Sequence, residues 1–530
     1  MLSLLSGGLQ IVVFPKTNLF FLSWFAFIPL LYALLRGRGG EGELLDSEGR
    51  SLRQFTLLQG FVIAWVCGIV WYIGTCYWIF PVMHSYGGLD VIASGFITLG
   101  FCLVMGMHHG AFGMLVVLMS RRSTAGNRSP LLLAPVFWVA IEFFRDRITG
   151  VPWEPLGNSQ VDNIPFARIS GFTGVYGLSL AIMLVNCAFT AGLLFYGQRR
   201  KNLLVSAMAA AAALQMGVFL NPAPFPTSHQ ALLIQPNVPI LNTAWPEDLY
   251  VRTLADFVRI AEQGGLHNPP GNPGLIIWPE SPAPFWVTDP RLLQTLKTIA
   301  QQTNSYLIVG STALTDTQSR DESPELLNSA LVIDPQGGKV GRYDKIHLVP
   351  FGEYVPLKRL LFFAKKLTRE VGNFASGADR TVFDLNGMKV AAVICYESVF
   401  PGEVRVFADR EHRAQVFVNI SDDDWYGETG APYQHLQMTR MRAIENHRWI
   451  LVAANDGVTA SIDPLGRVVK KAERKISTVL PVQFSPELDS TFYSLYGDVF
   501  GWICVVISLL AIFVRFRFTA GTMLEARPAP

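Results

Sequence analysis

Long apolar runs separated by short polar loops fill the first 221 residues, after which the rhythm changes. Runs long enough to cross a bilayer, about 20 residues each, fall at 19–36, 56–80, 90–119, 130–146, 174–197, 202–221 and 498–516. A shorter run at 2–14 is a further candidate span. It has neither a basic leader nor a small-residue cleavage site, so it does not read as a cleaved signal peptide. From 222 to 495 the pattern is that of alternating strands and helices. Apolar strand runs are expected at 231–235, 275–278, 306–309, 329–333, 390–394, 416–419 and 449–453, and helices at 249–263, 290–303 and 434–446. Such alternation predicts an α/β domain with strands buried between helices. The division is therefore a helical bundle over 1–221, of about seven spans, a folded domain over 222–495, and a final span with a tail over 496–530.

Charge gives this arrangement a direction. Arg36, Arg38, Arg50 and Arg53 share one loop, Arg121, Arg122 and Arg128 the next basic one, then Arg199, Arg200 and Lys201, and finally Arg515 and Arg517. Counting spans, all four lie on one side, which the positive-inside rule makes cytoplasmic. The loops at 81–89 and 147–173 carry few basic residues. The 222–495 domain is then extracytoplasmic, and at that size it holds its own core.

Composition agrees. Half of the 530 residues are hydrophobic and only 16% are charged, well below the roughly one quarter of a soluble protein; mean hydropathy is +0.31. The formal charge of +2 includes no tract dense enough to follow a phosphate backbone, so no nucleic-acid partner is expected.

Five of the six cysteines lie in the apolar runs, and Cys395 stands alone in the polar domain. One thiol makes no internal disulfide. It is either a small buried hydrophobe or a nucleophile. Four segments gather chemistry where strands end. They are Trp278-Pro-Glu280-Ser281, Arg342-Tyr-Asp-Lys345 running on to Glu353, Cys395-Tyr396-Glu397, and Asp422-Asp423-Asp424-Trp425-Tyr426-Gly427 followed by Gln434-His435. Taken singly, Glu280 is a loop carboxylate, Lys345 a surface lysine and Cys395 a core residue. Taken together they supply a base, a cation to lower the thiol pKa and steady an oxyanion, and a thiol, which is a set for acyl transfer. The consecutive acids at 422–424 point in different directions along an extended chain and lack calcium-loop spacing, so no metal is expected there. His108 and His109, within an apolar run, read as a packed or pore-lining pair.

The Glu–Lys–Cys order and its surrounding motifs resemble the nitrilase (carbon–nitrogen hydrolase) superfamily. With the bundle before the domain and one span after it, nearly the whole chain resembles the bacterial apolipoprotein N-acyltransferase family, including the loop from Pro152 to Gln160. The resemblance implies an α-β-β-α sandwich, with Glu280 as general base, Lys345 stabilising the tetrahedral intermediate and Cys395 as nucleophile. It also implies supporting roles for Glu353, Tyr396, Glu397 and Trp425, and for Trp245 on a mobile loop near a lipid entrance. The implied reaction moves an acyl chain from the sn-1 position of a phospholipid, through a thioester, to the α-amine of a diacylglyceryl-cysteine apolipoprotein. That places the protein in the bacterial inner membrane, with its catalytic domain periplasmic, no cofactor, and a monomeric state. Two features depart from the family pattern. The family commonly has Asn before the Asp of the segment after the nucleophile, where this chain has Asp422-Asp423-Asp424, and the 37–53 loop is long. A membrane-tethered amidase shares the triad but needs only one anchor. A transporter needs intramembrane charges, for which Glu142 near Arg145 and Arg147 is the main candidate.

Overall fold

The computed structural model describes residues 1–36, 44–45, 51–52, 55–120, 129–194, 197–239, 245–264, 274–280, 284–315, 324–350, 352–354 and 374–525. The basic loop at 121–128, and that at 37–53 apart from a two-strand pairing of Leu44–Leu45 with Ser51–Leu52, lie outside these residues. The chain forms two compact units. One comprises Met1–Tyr77, Gly95–Asn221 and Asp498–Pro530, and the other Trp78–Ser94 with Pro222–Gly497. The division at 221 read from the sequence assigns 78–94 to the bundle, whereas its contacts group it with the second unit.

In the first unit, five described helices are long and apolar enough to cross a membrane: Leu57–Thr75, Val91–Ser120, Val175–Leu194, Gly197–Phe219 and Val499–Arg517. The run at 19–36 is not one helix. A 3-10 turn at Phe20–Trp24 gives way to a new helix, Ile28–Leu35, with proline in its first turn, where a missing N–H costs nothing. The run expected to reach 80 ends as a helix at Thr75. Helix Ser129–Thr149 is long enough, but Glu142, Arg145, Asp146 and Arg147 crowd its last turns. Leu57–Thr75 and Val91–Ser120 pack through glycines: a Cβ on Gly113 would strike the Gly60 carbonyl and Ala64, and one on Gly68 would strike the Gly106 carbonyl. Close backbone approach through small residues is how helices associate in lipid, where burial alone gives no drive. His109 is packed among the rings of Phe27, Trp71 and Trp138 and meets Gln10 Oε1 at 3.0 Å.

The second unit holds two six-stranded sheets. The first is built from β1 (His229–Gln235), β2 (Gly274–Ile277), β3 (Ser305–Leu314), β4 (Leu326–Ile333) and β5 (Lys339–Asp344). The second is built from β6 (Val382–Leu385), β7 (Met388–Ile394), β8 (Val416–Ser421), β9 (Trp449–Ala454), β10 (Ala460–Ile462) and β11 (Val468–Lys471), while β12 (Thr478–Phe484) returns to the first. The orders are β12-β1-β2-β3-β4-β5 and β11-β10-β9-β8-β7-β6. In each, three neighbouring strands run parallel (β1-β2-β3 and β7-β8-β9) and the flanking ones antiparallel. The parallel strands are buried on both faces, which is why they read as unbroken apolar runs.

Helices α1 (Glu247–Gln263) and α2 (Pro290–Thr303) cover the first sheet through Leu254, Phe257, Leu292 and Leu296 against Leu232, Ile276 and Leu307. The Phe257 ring stacks on Trp278 at 3.8 Å, worth about 0.5–1.5 kcal/mol beyond its burial. The α2 start is set by Asp289, whose side chain accepts the Arg291 N–H at 2.8 Å, a cap worth about 1 kcal/mol. Helix α3 (Ala431–Asn446), against the second sheet, is buried on almost every side. The helices and the paired sheets form the expected α-β-β-α sandwich.

Candidate active site

Each candidate residue follows a strand. Glu280 lies three residues past β2, Lys345 directly after β5, Cys395 directly after β7, and Asp422 directly after β8. Carboxyl ends of parallel strands are where α/β folds gather ligands, and here three of them, those of β2, β7 and β8, meet the end of the flanking antiparallel strand β5.

At the centre is the Lys345 ammonium, 1% exposed. It donates to Glu280 Oε1 at 3.1 Å and Glu353 Oε1 at 3.0 Å. The Asn328 amide parallels it, donating to Glu280 Oε1 at 2.7 Å and Glu353 Oε1 at 2.8 Å. The remaining oxygens are also met: the Asp422 N–H reaches Glu280 Oε2 at 3.0 Å, and the Val349 N–H reaches Glu353 Oε2 at 2.8 Å. Burial alone would discharge this lysine, but the two carboxylates outweigh it and hold its pKa well above the ordinary lysine value. It is a fixed cation.

Cys395 is buried and sits at φ +50°, a left-handed conformation that costs a non-glycine residue about 1–3 kcal/mol and recurs at functional turns. Its thiol pKa lies well above the usual value. Burial is the largest cause, the Glu280 charge adds to it, and Lys345 pulls the other way without prevailing. This corrects the expectation that the lysine leaves a lowered thiol pKa. The resting group is a neutral thiol, and attack requires a base.

Glu397, fully buried, ties the cysteine turn to the lysine turn. Its Oε1 accepts from Tyr343 Oη at 2.8 Å, the Ile346 N–H at 2.7 Å and the His347 N–H at 3.1 Å, while Oε2 accepts the Ile394 N–H at 2.8 Å. Tyr396 is buried with its ring edge-on to Phe400 at 5.2 Å. Trp425 is 37% exposed and meets the Tyr86 ring at 5.2 Å, and Tyr86 Oη donates to the Asp424 carbonyl at 2.7 Å. Trp78 meets Tyr426 at 5.1 Å. Trp245 packs, half-buried, against the Phe257–Trp278 cluster, and the preceding 240–244 lies outside the described residues.

The three acids diverge as expected. Asp422 accepts the Asp424 N–H at 3.2 Å and faces the Asn455 amide at 3.3 Å, whereas Asp423 turns to His435 at 3.1 Å. Burial and then the Glu280 charge push the Asp422 carboxyl well up. A carboxyl pushed toward its neutral form presents an oxygen acceptor much as asparagine does. Among the described residues, one trio is spaced to hold a metal ion: His447, Glu487 and Asp489. There His447 already meets Asp489 at 2.8 Å, with the Arg448 guanidinium 3.8 Å from the same carboxylate.

Asn328 and Asn455 lie outside the segments that the sequence marks as rich in chemistry. A polar residue inside the apolar run of β4 was the available signal for Asn328. Gln434-His435 stood out only as text after the acids.

Residues 271–490 match the carbon–nitrogen hydrolase family model, and residues 6–188 match that of the apolipoprotein N-acyltransferase N-terminal domain. Along its length the chain is similar to the apolipoprotein N-acyltransferase of Geobacter metallireducens, 32% identical over 530 residues and covering 98% of this chain and 95% of that one. That of Bradyrhizobium diazoefficiens is 28% identical over 96% of this chain and 94% of its own. That of Methylococcus capsulatus is 32% identical over 79% and 81%.

Proposed function

Because the chain belongs to the apolipoprotein N-acyltransferase family, a membrane-bound set of acyltransferases on the carbon–nitrogen hydrolase fold, we propose that Cys395, Glu280 and Lys345 carry its acyl transfer. The observation that supports these roles is the buried Lys345 ammonium held between the Glu280 and Glu353 carboxylates, beside a thiol on a left-handed strand end.

Glu280 takes the thiol proton as Cys395 Sγ attacks the sn-1 ester carbonyl of a phospholipid. The developing oxyanion faces the Lys345 ammonium, which needs no reorganisation to meet it. Collapse breaks the acyl C–O bond, and the protonated Glu280 returns its proton to the departing lysophospholipid alkoxide. The acyl chain remains as a thioester. The neutral α-amine of a diacylglyceryl-cysteine apolipoprotein then attacks, Glu280 removes the amine proton, and Sγ leaves and is reprotonated. The product is an amide. Glu353 and Asn328 hold lysine and base in one geometry through both halves, so the same groups serve donor and acceptor in turn.

Both substrates are lipid-anchored, so lateral diffusion in the bilayer replaces search in three dimensions. The basic-loop pattern supports a bacterial inner membrane with the catalytic unit on the periplasmic side. A complete set of groups on one chain supports action as a monomer. The test is intact mass of purified protein incubated with phospholipid. The expected result is a gain of one acyl chain on Cys395, lost on adding a diacylglyceryl peptide. Transfer to the peptide with no acyl group ever on Cys395 sinks the scheme.

A further inference from the structure

We infer that His435 and Asp423 form a charged positioning pair that holds the Cys395 turn for acyl transfer. The inference rests on Cys395 being the acylated thiol, and the contacts of the pair reach the Cys395 carbonyl rather than Sγ.

His435 is 3% exposed, on the all-round buried helix α3. Its Nε2 lies 3.0 Å from the Cys395 carbonyl oxygen and 2.8 Å from Ser398 Oγ. Its Nδ1 lies 3.1 Å from Asp423 Oδ1, which also accepts the Ser421 hydroxyl at 2.8 Å. These partners assign the protons. A carbonyl only accepts, so Nε2 carries hydrogen. The Thr439 hydroxyl donates to the His435 carbonyl at 2.9 Å, and Ser398 lies 2.9 Å from Thr439 Oγ1. Ser398 therefore gives its own hydrogen to Thr439 and turns a lone pair to Nε2. Nδ1 faces a carboxylate and carries hydrogen as well. With both nitrogens donating, the ring is an imidazolium. Asp423 is boxed in to match, since a Cβ on Gly457 would collide with its Oδ2.

The cation grips the carbonyl of Cys395, whose backbone is in the left-handed region. A charge-assisted bond to that oxygen fixes the left-handed turn and so the direction of Sγ. It also polarises the peptide between Cys395 and Tyr396. The Tyr396 amide, second in the 3-10 turn Cys395–Val399, thereby becomes a stronger donor, and the amide following a nucleophile on such a turn is suited to a developing oxyanion. Asp423 thus acts through His435, and His435 through Cys395.

The test is single-turnover acylation of the full-length protein in detergent by a defined phospholipid, read as maximal rate and half-saturating donor concentration. Asp423→Asn keeps the size of the side chain and leaves His435 a neutral Nε2–H donor, so the maximal rate should fall about 10-fold. His435→Ala should lower it by about 100-fold or more, and the double variant no further than His435→Ala alone, because the two act as one unit. Half-saturating donor concentration should stay within about 2-fold throughout. Multiplying losses in the double variant, a change confined to half-saturation, or wild-type rates in either single variant would overturn the pair. Should His435→Ala lose its thermal transition, Asp423→Asn decides alone. An unacylated wild-type Cys395 refutes the parent mechanism, whereas normal acylation with unaffected variants refutes only the pair.

Discussion

The Glu397 carboxylate accepts the Ile346 N–H at 2.7 Å, so the turn that carries the thiol and the turn that carries the ammonium are fastened to each other by one buried side chain. Glu397→Gln puts an NH₂ group where one of four donors now finds an oxygen. Each buried donor left unmet costs about 1–3 kcal/mol. The melting temperature should fall, and acylation should slow about 10-fold or more because both turns loosen. Thermal melting together with single-turnover acylation checks this; an unchanged acylation rate removes Glu397 from the positioning scheme.

Lys345→Met leaves Glu280 and Glu353 facing each other with only Asn328 between them. Removing one partner of a buried ion pair costs about 3–5 kcal/mol, and one carboxyl should take up a proton to relieve the repulsion. No acyl-enzyme should be detectable by mass. Lys345→Arg should not rescue it, since a planar fork does not fit where a compact ammonium meets two separate oxygens.

Asp422→Asn should be tolerated. The Asp422 carboxyl is driven toward its neutral form by burial and by Glu280, and its contact to Glu280 is made by backbone N–H. Acylation within about 3-fold of wild type is expected, since a neutral amide offers the same oxygen acceptor. A loss of two orders of magnitude would show that the acid acts as an acid.

Glu403 supplies a pH signature. It accepts from Arg380 Nε at 2.6 Å and Nη2 at 2.9 Å and meets His347 Nε2 at 3.0 Å. Burial pushes its carboxyl up, but the bonds from His347 and Arg380 prevail and hold it below the ordinary value of 4.5. A depressed carboxyl stabilises the fold above its unfolded pKa, and that contribution fades as pH falls through the folded one. The melting-temperature gap between wild type and Glu403→Gln should therefore be full at neutral pH and shrink below about pH 4.5. A gap that widens in acid would reverse the assignment.

The strands legible in sequence were those buried on both faces. β7 and β8 are continuous apolar runs, and nothing else in the chain competes with that reading. Strands β5 and β11, with their exposed lysines Lys339, Lys470 and Lys471, lie at sheet edges and carry no comparable run. Glu280 and Cys395 were legible because each comes at or just past the end of a buried apolar strand, whereas Lys345, after the edge strand β5, was marked only by its place in the Glu–Lys–Cys order. Asn328 was not legible, because its role depends on β4 pairing with β5, a long-range register in which Lys345 N–H meets the Asn328 carbonyl at 2.8 Å. His435 was equally hidden: a polar residue on a helix looks solvated until the helix proves buried all round. In the bundle, hydropathy blurred helix ends, since Phe20–Trp24 and Ile28–Leu35 are both apolar and local backbone geometry separates them.

The segment Trp78–Ser94 has a consequence for anyone cutting this protein into parts. The chain passes between its two units at four junctions, after Tyr77, Ser94, Asn221 and Gly497, where a simple insertion would need two. A fragment beginning at Pro222 leaves behind the aromatic side chains that cover Trp425 and Tyr426. The second unit is thus not a cassette that can be lifted out by its ends, because a piece of its wall is encoded about 130 residues upstream, between two membrane helices.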